Sequence, residues 1–346
     1  MDKPLFLQAC AGLPTERVPL WIMRQAGRYL PAYREVRAKH DFLAMCRTPE
    51  LAAEVTLQPV REFGFDAAII FSDILLPLAP MGIDVQFVEG EGPRLAPQVR
   101  SRKDVEDLKD AGFDPATCFL GKALKIVRGE LGADKALIGF AGAPWTMCCY
   151  AVEGKGSRDY AAVKTMMNSE PETLHALLDK ITTVLVSWLR MQLESGADAF
   201  QVFDSWADAL SPADYREFAL PYLRRIFEEL RPTGKPAILF SRDAGAFADE
   251  NVRLPIDVLA VDWRVDLAAL RRRHAGSGPR AYQGNLDPMT LLGDRRILLE
   301  KAGRLLAENV ETPGYIFNLG HGITPPTPVE NVRALVDFVH AFRSGK

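Results

Sequence analysis

The sequence predicts an α/β protein folded as one (β/α)8 TIM barrel. Two patterns carry the expectation: eight short apolar runs, each ending in polar or turn residues, and stretches of helical period between them. A third observation sets the domain count. No Pro/Gly/Ser-rich linker divides the 346 residues, a length that barrels of alternating strand and helix reach as a single unit. Strands buried on both faces read as continuous apolar runs, whereas one-sided antiparallel strands alternate. A doubly wound open sheet is the alternative that the same alternation allows.

The first run is LWIM (20–23), before Arg24. Thr48-Pro49 then pairs an N-cap side chain with proline at the first helical position, where a missing N–H costs nothing. DAAIIFSD (66–73) and ALIGFAGAP (136–144) are the next two runs. PETLHALLDKITTVLVSWLRMQLESG (171–196) carries apolar residues three and four apart and stops at a glycine, as an amphipathic helix does. AFQVFDS (199–205) follows, then a Ser211-Pro212 helix start, then AILFSRD (237–243) and VLAVDW (258–263). RRRH (271–274) reads as a solvated helix end. AYQGNLD (281–287) leads into Asp287-Pro288, a further cap, and EKAGRLLAENV (300–310) again has helical period. The eighth run, YIFNLGHG (315–322), precedes the last cap, Thr327-Pro328.

Forty-eight per cent of the residues are hydrophobic and 25% charged, ample for a large core, and the net charge is −3. Any affinity for anions is therefore local, and neither a nucleic-acid nor an anionic membrane surface is expected. The five cysteines, Cys10, Cys46, Cys118, Cys148 and Cys149, are odd in number and lack C-x-x-C spacing. Reduced thiols and no metal site are expected, with adjacent Cys148 and Cys149 serving as packing. The amino end lacks the shape of a signal peptide and no run of about eighteen apolar residues occurs, so a cytoplasmic location is expected. With no G-x-G-x-x-G after the first strand and no Walker-type loop, a nucleotide cofactor loses most of its support.

An active site in such a barrel lies at the carboxyl ends of the strands. Here those ends carry Arg24, Ser72-Asp73, Ala143-Pro144-Trp145 with Tyr150 shortly after, Asp204-Ser205, Ser241-Arg242-Asp243, Asp262, Asn285 and His321. Asp73 reads either as a helix cap or arginine partner, or as an anion at the mouth that accepts a ligand's N–H groups and stabilises a cation; at about 4 Å such a pairing is worth about 4 kcal/mol at an effective dielectric of about 20. In WIMRQAGRYLPAYR (21–34), Arg24 and Arg28 flank Gly27 and the run soon meets Pro31, so a loop laid over the mouth fits better than a helix. Two guanidinium forks suit a ligand with several carboxylates. His321 stands between glycines in NLGHGI, as a structural histidine or as a ring closely approached by ligand. Tyr150 and Ser205 are weaker candidates by themselves.

These residues also carry a resemblance. PLWIMRQAGRYLPAYR (19–34), IIFSDIL (69–75), GFAGAPWTMCCYAVEG (139–154), QVFDSW (201–206), YQGNLDP (282–288) and FNLGHGITPPTPVENV (317–332) run in order over essentially the whole chain, which closely resembles the uroporphyrinogen decarboxylase family. The resemblance implies a (β/α)8 barrel, a homodimer, and a reaction without metal or organic cofactor on uroporphyrinogen III, which bears eight carboxylates. It implies that the loop of Arg24, Gln25, Ala26, Gly27 and Arg28 holds substrate carboxylates, that Asp73 binds the pyrrole N–H groups, and that Tyr150, Ser205 and His321 contact the substrate. Arg24 or Arg28 is the implied proton donor. One departure stands out: after FDSW the family usually has glycine within two positions, and here Ala207-Asp208 stands instead. The rival readings are a cobalamin-linked methyltransferase of the same superfamily, disfavoured by the missing His-x-Cys after the last strand, and a non-catalytic tetrapyrrole carrier.

Overall fold

The computed structural model describes residues 3–343 apart from 89, 111 and 243, so Asp243 of the expected rim lies outside the described residues. In chain order the strands are β1 (Ala67–Ile69), β2 (Asp84–Val88), β3 (Gly92–Ala96), β4 (Ala136–Gly142), β5 (Ala199–Asp204), β6 (Ala237–Ser241), β7 (Val258–Val261), β8 (Ala281–Gln283) and β9 (Tyr315–Ile316). β1 and β4 to β9 form one seven-stranded sheet in that order, every neighbour parallel. Helices join successive strands, as parallel neighbours require. Seven of the eight apolar runs are thus strands of the barrel.

The first run departs from expectation. It forms no strand but a single bridge, Leu20 beside Phe317, and still fills the place between β9 and β1. Phe317 N–H donates to Pro19 O at 2.9 Å, Trp21 N–H to Phe317 O at 3.4 Å, and Asp66 N–H to Leu20 O at 2.8 Å. Pro19 has no N–H to extend a ladder, and the chain turns away at Arg24, whose φ is 62°. Side chains supply what the backbone lacks: Asp66, 2% exposed, takes both Arg17 guanidinium nitrogens at 2.7 Å and the Leu20 N–H at 2.8 Å, with His340 Nε2 at 3.4 Å. Burial would raise this carboxyl, but the nearby His340 and the hydrogen bonds from Arg17 outweigh it and hold it well below the usual carboxylate range.

The periodic stretches are helices. Pro171–Glu194 buries Leu174, Leu177, Leu178, Ile181, Leu185, Trp188 and Leu189 at the three- and four-residue spacing read from the sequence. Its Gln192 bonds both Phe140 N and Phe140 O at 2.9 Å, which fixes the helix against β4. Arg295–Asn309 covers the 300–310 pattern up to its last residue, Val310, which is the C-cap, and Ser211 and Asp287 cap as expected. Thr48 precedes Pro49–Phe63 without a side-chain cap bond, and the last helix, Val329–Ala341, starts one residue late, with Pro328 itself at the N-cap. RRRH is not simply solvated: Arg271 donates to Asn309 O, Thr312 O and Pro313 O and lies over the Tyr282 and Tyr315 rings. Cys148 and Cys149 are fully buried packing, as read. The antiparallel pair β2 and β3 was not legible as strands.

Inside the barrel a polar chain crosses the core. Trp21 Nε1 donates to Gln283 Oε1 at 2.9 Å and Gln283 Nε2 to Gln201 Oε1 at 3.3 Å, all three residues at most 1% exposed. This chain ties the first segment to β8 and β5. Among the described residues no helix is long and apolar enough to cross a membrane.

Candidate active site

The arginine loop begins where the chain leaves the barrel wall. Met23 is held on both sides by the segment after β9: its N–H donates to Asn318 Oδ1 at 3.0 Å and its carbonyl accepts from Ile323 N–H at 3.0 Å. Gln25 is fully buried, its Oε1 accepting from Ile22 N–H at 3.2 Å and its Nε2 donating to Ala67 O at 3.1 Å. Between these anchors Arg24 takes the left-handed backbone that few non-glycine residues adopt, and its exposed side chain is thrown out of the wall. The loop expected from Gly27 and Pro31 is present, with helix only from Pro31 to Arg37. Gly27 sits where a Cβ would be 3.1 Å from Arg24 O. Arg28 is exposed, Ala26 half-buried, and Arg34 braces the loop by donating to Arg28 O and Tyr29 O at 2.9 Å.

Asp73 follows β1 and is half-buried. Burial pushes its carboxyl up to about 6, opposed by the Leu75 N–H, which donates to Oδ1 at 2.9 Å, and by the charge of Arg24. At pH 7 it is therefore mostly ionised. Tyr150 lies on helix Pro144–Glu153, and its hydroxyl is pushed up to about 12, first by burial and then by the nearby Asp73. Its ring stacks on Trp206 at 3.9 Å, and Tyr160 meets the same indole edge-on at 5.2 Å. Trp206 is in turn fixed by its backbone: its N–H donates to Thr146 Oγ1 at 3.3 Å and its carbonyl accepts from Trp145 Nε1 at 3.0 Å. Half-buried Ser205 precedes it on the loop that continues β5.

His321 completes the cluster after β9. Burial first, then the charges of Arg24, Arg242 and Arg264, lower its pKa to about 4, so the ring is neutral at pH 7. The flanking glycines serve contacts within the protein. A methyl on Gly320 would overlap the Trp263 N–H, and one on Gly322 would overlap the Arg24 side chain. Arg24 is thus the hub: Asp73, Tyr150 and His321 all feel its charge. Arg28 does not enter that set, and Ser205 stands next to Trp206 in the chain.

Asp208 is exposed on the turn Ala207–Ala209, and its charge reaches Tyr160 and Asp204. Asp204 is fully buried, accepts from Thr146 Oγ1 at 2.9 Å, and is pushed up to about 7 by burial, with Asp208 adding to the rise. Sequence reasoning missed Trp206, Tyr160 and Asn318 as parts of the site. Only the position of Trp206 beside Ser205 offered a signal; Asn318 and Tyr160 act through contacts distant in sequence.

Exposed Arg24 and Arg28, the Asp73 carboxyl, the Tyr150–Trp206 ring pair and the His321 imidazole together offer donors and charge to an anionic ligand. The model of the family described as "Uroporphyrinogen decarboxylase (URO-D)" matches residues 1–342. The chain is 48% identical over 335 residues to the uroporphyrinogen decarboxylase of Citrifermentans bemidjiense, covering 97% of each, and 47% identical over 343 residues to that of an Anaeromyxobacter species, covering 97% of this chain and 98% of the relative. Among solved structures, a methyltransferase from Methanosarcina mazei superposes with a TM-score of 0.81 at 20% identity, covering 98% and 99% of the two chains, which shows a shared fold. A match of this length and identity, on a barrel whose strand ends carry the residues just described, places the chain in the uroporphyrinogen decarboxylase family.

Proposed function

We propose that this protein removes CO2 from the four acetate side chains of uroporphyrinogen III to give coproporphyrinogen III, with ionised Asp73 as the anion beneath the macrocycle. The decarboxylation in porphyrin biosynthesis follows from family membership. What supports the residue roles is the convergence of Asp73, Tyr150 and His321 on Arg24. In this reading the loop Arg24, Gln25, Ala26, Gly27, Arg28 lies over the mouth. Arg24 and Arg28 pair with substrate carboxylates, while the buried Gln25 side chain keeps the loop in place. Asp73 accepts the pyrrole N–H groups, and Tyr150, Ser205 and neutral His321 contact ring or side chains.

The chemistry needs an electron sink, and the substrate supplies it without metal or organic cofactor. A proton adds to a pyrrole carbon and makes the ring cationic. The bond from the acetate methylene to its carboxylate then breaks, CO2 leaves, and the electron pair neutralises the ring. A proton on the methylene carbon and loss of the proton from the ring carbon leave a methyl group on a restored pyrrole. Each round therefore consumes one net proton. Asp73 interacts more strongly with the cation than with the neutral ring, which lowers the barrier by favouring the transition state over the ground state. We assign the proton donor to the loop arginines, Arg24 before Arg28 because of its place at the hub, although a guanidinium is a reluctant acid.

We also propose a cytoplasmic homodimer. Its support is the set of free cysteines and the exposed apolar Met289 and Leu292 after β8. Sedimentation of the purified protein tests the dimer.

Anaerobic incubation with uroporphyrinogen III in the dark, followed by oxidation and chromatographic counting of carboxyl groups, tests the reaction. A ladder from eight carboxylates to four is the expected result; an unchanged eight-carboxylate peak from folded protein rejects it. Gly322→Ala checks the hub. The added methyl displaces the Arg24 side chain rather than backbone, so kcat/KM should fall about tenfold with the thermal midpoint nearly unchanged. A fall in midpoint with normal kcat/KM would show that Gly322 serves packing alone.

A further inference from the structure

We propose that Arg264 is a substrate-binding residue, a guanidinium held in fixed orientation at the barrel mouth to pair with a peripheral carboxylate of the macrocycle. The inference rests on the polycarboxylate reading above and extends it to a residue outside the arginine loop.

On the turn after β7, Asp262, fully buried, accepts from Arg264 N–H at 3.0 Å through Oδ1 and from Arg264 Nη1 at 2.8 Å through Oδ2. The guanidinium carbon lies over the Trp263 ring, 4.4 Å from its centroid, a cation–π contact that helps to hold the side chain. Asn285 pins the turn from the other side, its Nδ2 donating to Asp262 O at 2.7 Å and Val265 O at 2.8 Å. The turn also packs against Gly320, where no side chain fits beside the Trp263 N–H, and Gly320 adjoins His321. The Arg264 head is therefore fixed next to the histidine loop, and its charge, with those of Arg24 and Arg242, acts on that ring.

A counterion for Asp262 explains part of this arrangement. It does not explain why the arginine keeps 46% of its side chain exposed on the turn that follows the carboxyl end of a barrel strand. A guanidinium carries five N–H donors, so one arginine can serve more than one carboxylate at a time. Because the side chain is ordered before the ligand arrives, little rotamer entropy is lost on binding. The rim residues Asp262 and Asn285 then become positioning residues for Arg264.

The test compares Arg264→Gln with the unmutated protein in two readouts, KM for uroporphyrinogen III and the Kd of uroporphyrin III, the oxidised eight-carboxylate macrocycle, from fluorescence quenching. Both should rise about tenfold while kcat stays within about twofold, the pattern of lost uniform binding. Arg264→Lys should recover only part of the loss, since it restores charge without fork or stacking. Because Arg264→Gln leaves Asp262 buried without this cation, the double variant Asp262→Asn, Arg264→Gln separates binding from support: the rise should persist in it. Unchanged KM and Kd in Arg264→Gln, or a rise that disappears in the double variant, overturns the proposal. If the unmutated protein binds uroporphyrin but turns nothing over, the Kd comparison still decides the role of Arg264 while the decarboxylase reading fails; if it neither binds nor turns over, both fail.

Discussion

Asp73→Asn should lower kcat/KM by roughly a hundredfold or more, a loss of about 2.7 kcal/mol in transition-state stabilisation, and should leave the protein folded and more stable than before. The two halves of this expectation share one cause. The folded-state carboxyl is raised from 3.8 to about 6 by burial, so between those values the native protein holds a proton that the unfolded chain has released. Stability falls as pH rises through that window, and above it the ionised group costs up to about 3 kcal/mol. The neutral amide removes that cost together with the anion that the cationic ring needs. Steady-state kinetics and urea denaturation at pH 7 check both halves. More than about a tenth of the activity remaining would sink the assigned role, and a less stable variant would show that the carboxylate supports the fold.

Asp66→Ala should have the largest effect on stability, about 3–5 kcal/mol at pH 7, because it leaves the half-buried Arg17 and the buried Leu20 N–H without their acceptor. The sign with pH is opposite to that of Asp73. The folded carboxyl is depressed, so its contribution is full above the unfolded value of about 3.9 and is lost as pH falls below it. The lower urea midpoint of the variant at pH 7 should therefore converge on that of the unmutated protein in acid. A variant with an unchanged midpoint at pH 7 would mean that the single Leu20 bridge and the polar chain from Trp21 close the barrel unaided.

Most of the barrel was legible because buried parallel strands leave continuous apolar runs, and β4, β5 and β6 begin where their runs begin. The first run was misleading for a physical reason: Trp21 and Ile22 are apolar because the core surrounds them, yet Pro19 and the turn at Arg24 leave room for only one bridge. β2 and β3 escaped because their burial alternates in β2 and is sparse in β3. In the site, Arg24, Asp73, Tyr150 and His321 were all named from strand ends or from family motifs. The supports were not, since Asn318 acts on Met23 across 295 residues of chain. Gly322 was noticed, but its purpose, room for the Arg24 side chain, appears only when the two loops are seen side by side.

The pH dependence of kcat/KM in the unmutated enzyme tests the role of ionised Asp73 most directly, because that ratio reports groups of the free enzyme. The expected result is a plateau near neutrality and an acid limb centred at about 6, well above the range near 4 where ordinary carboxyls, including those of the substrate, titrate. A rate that stays level from about pH 7.5 down to about pH 5 would contradict the need for an ionised Asp73.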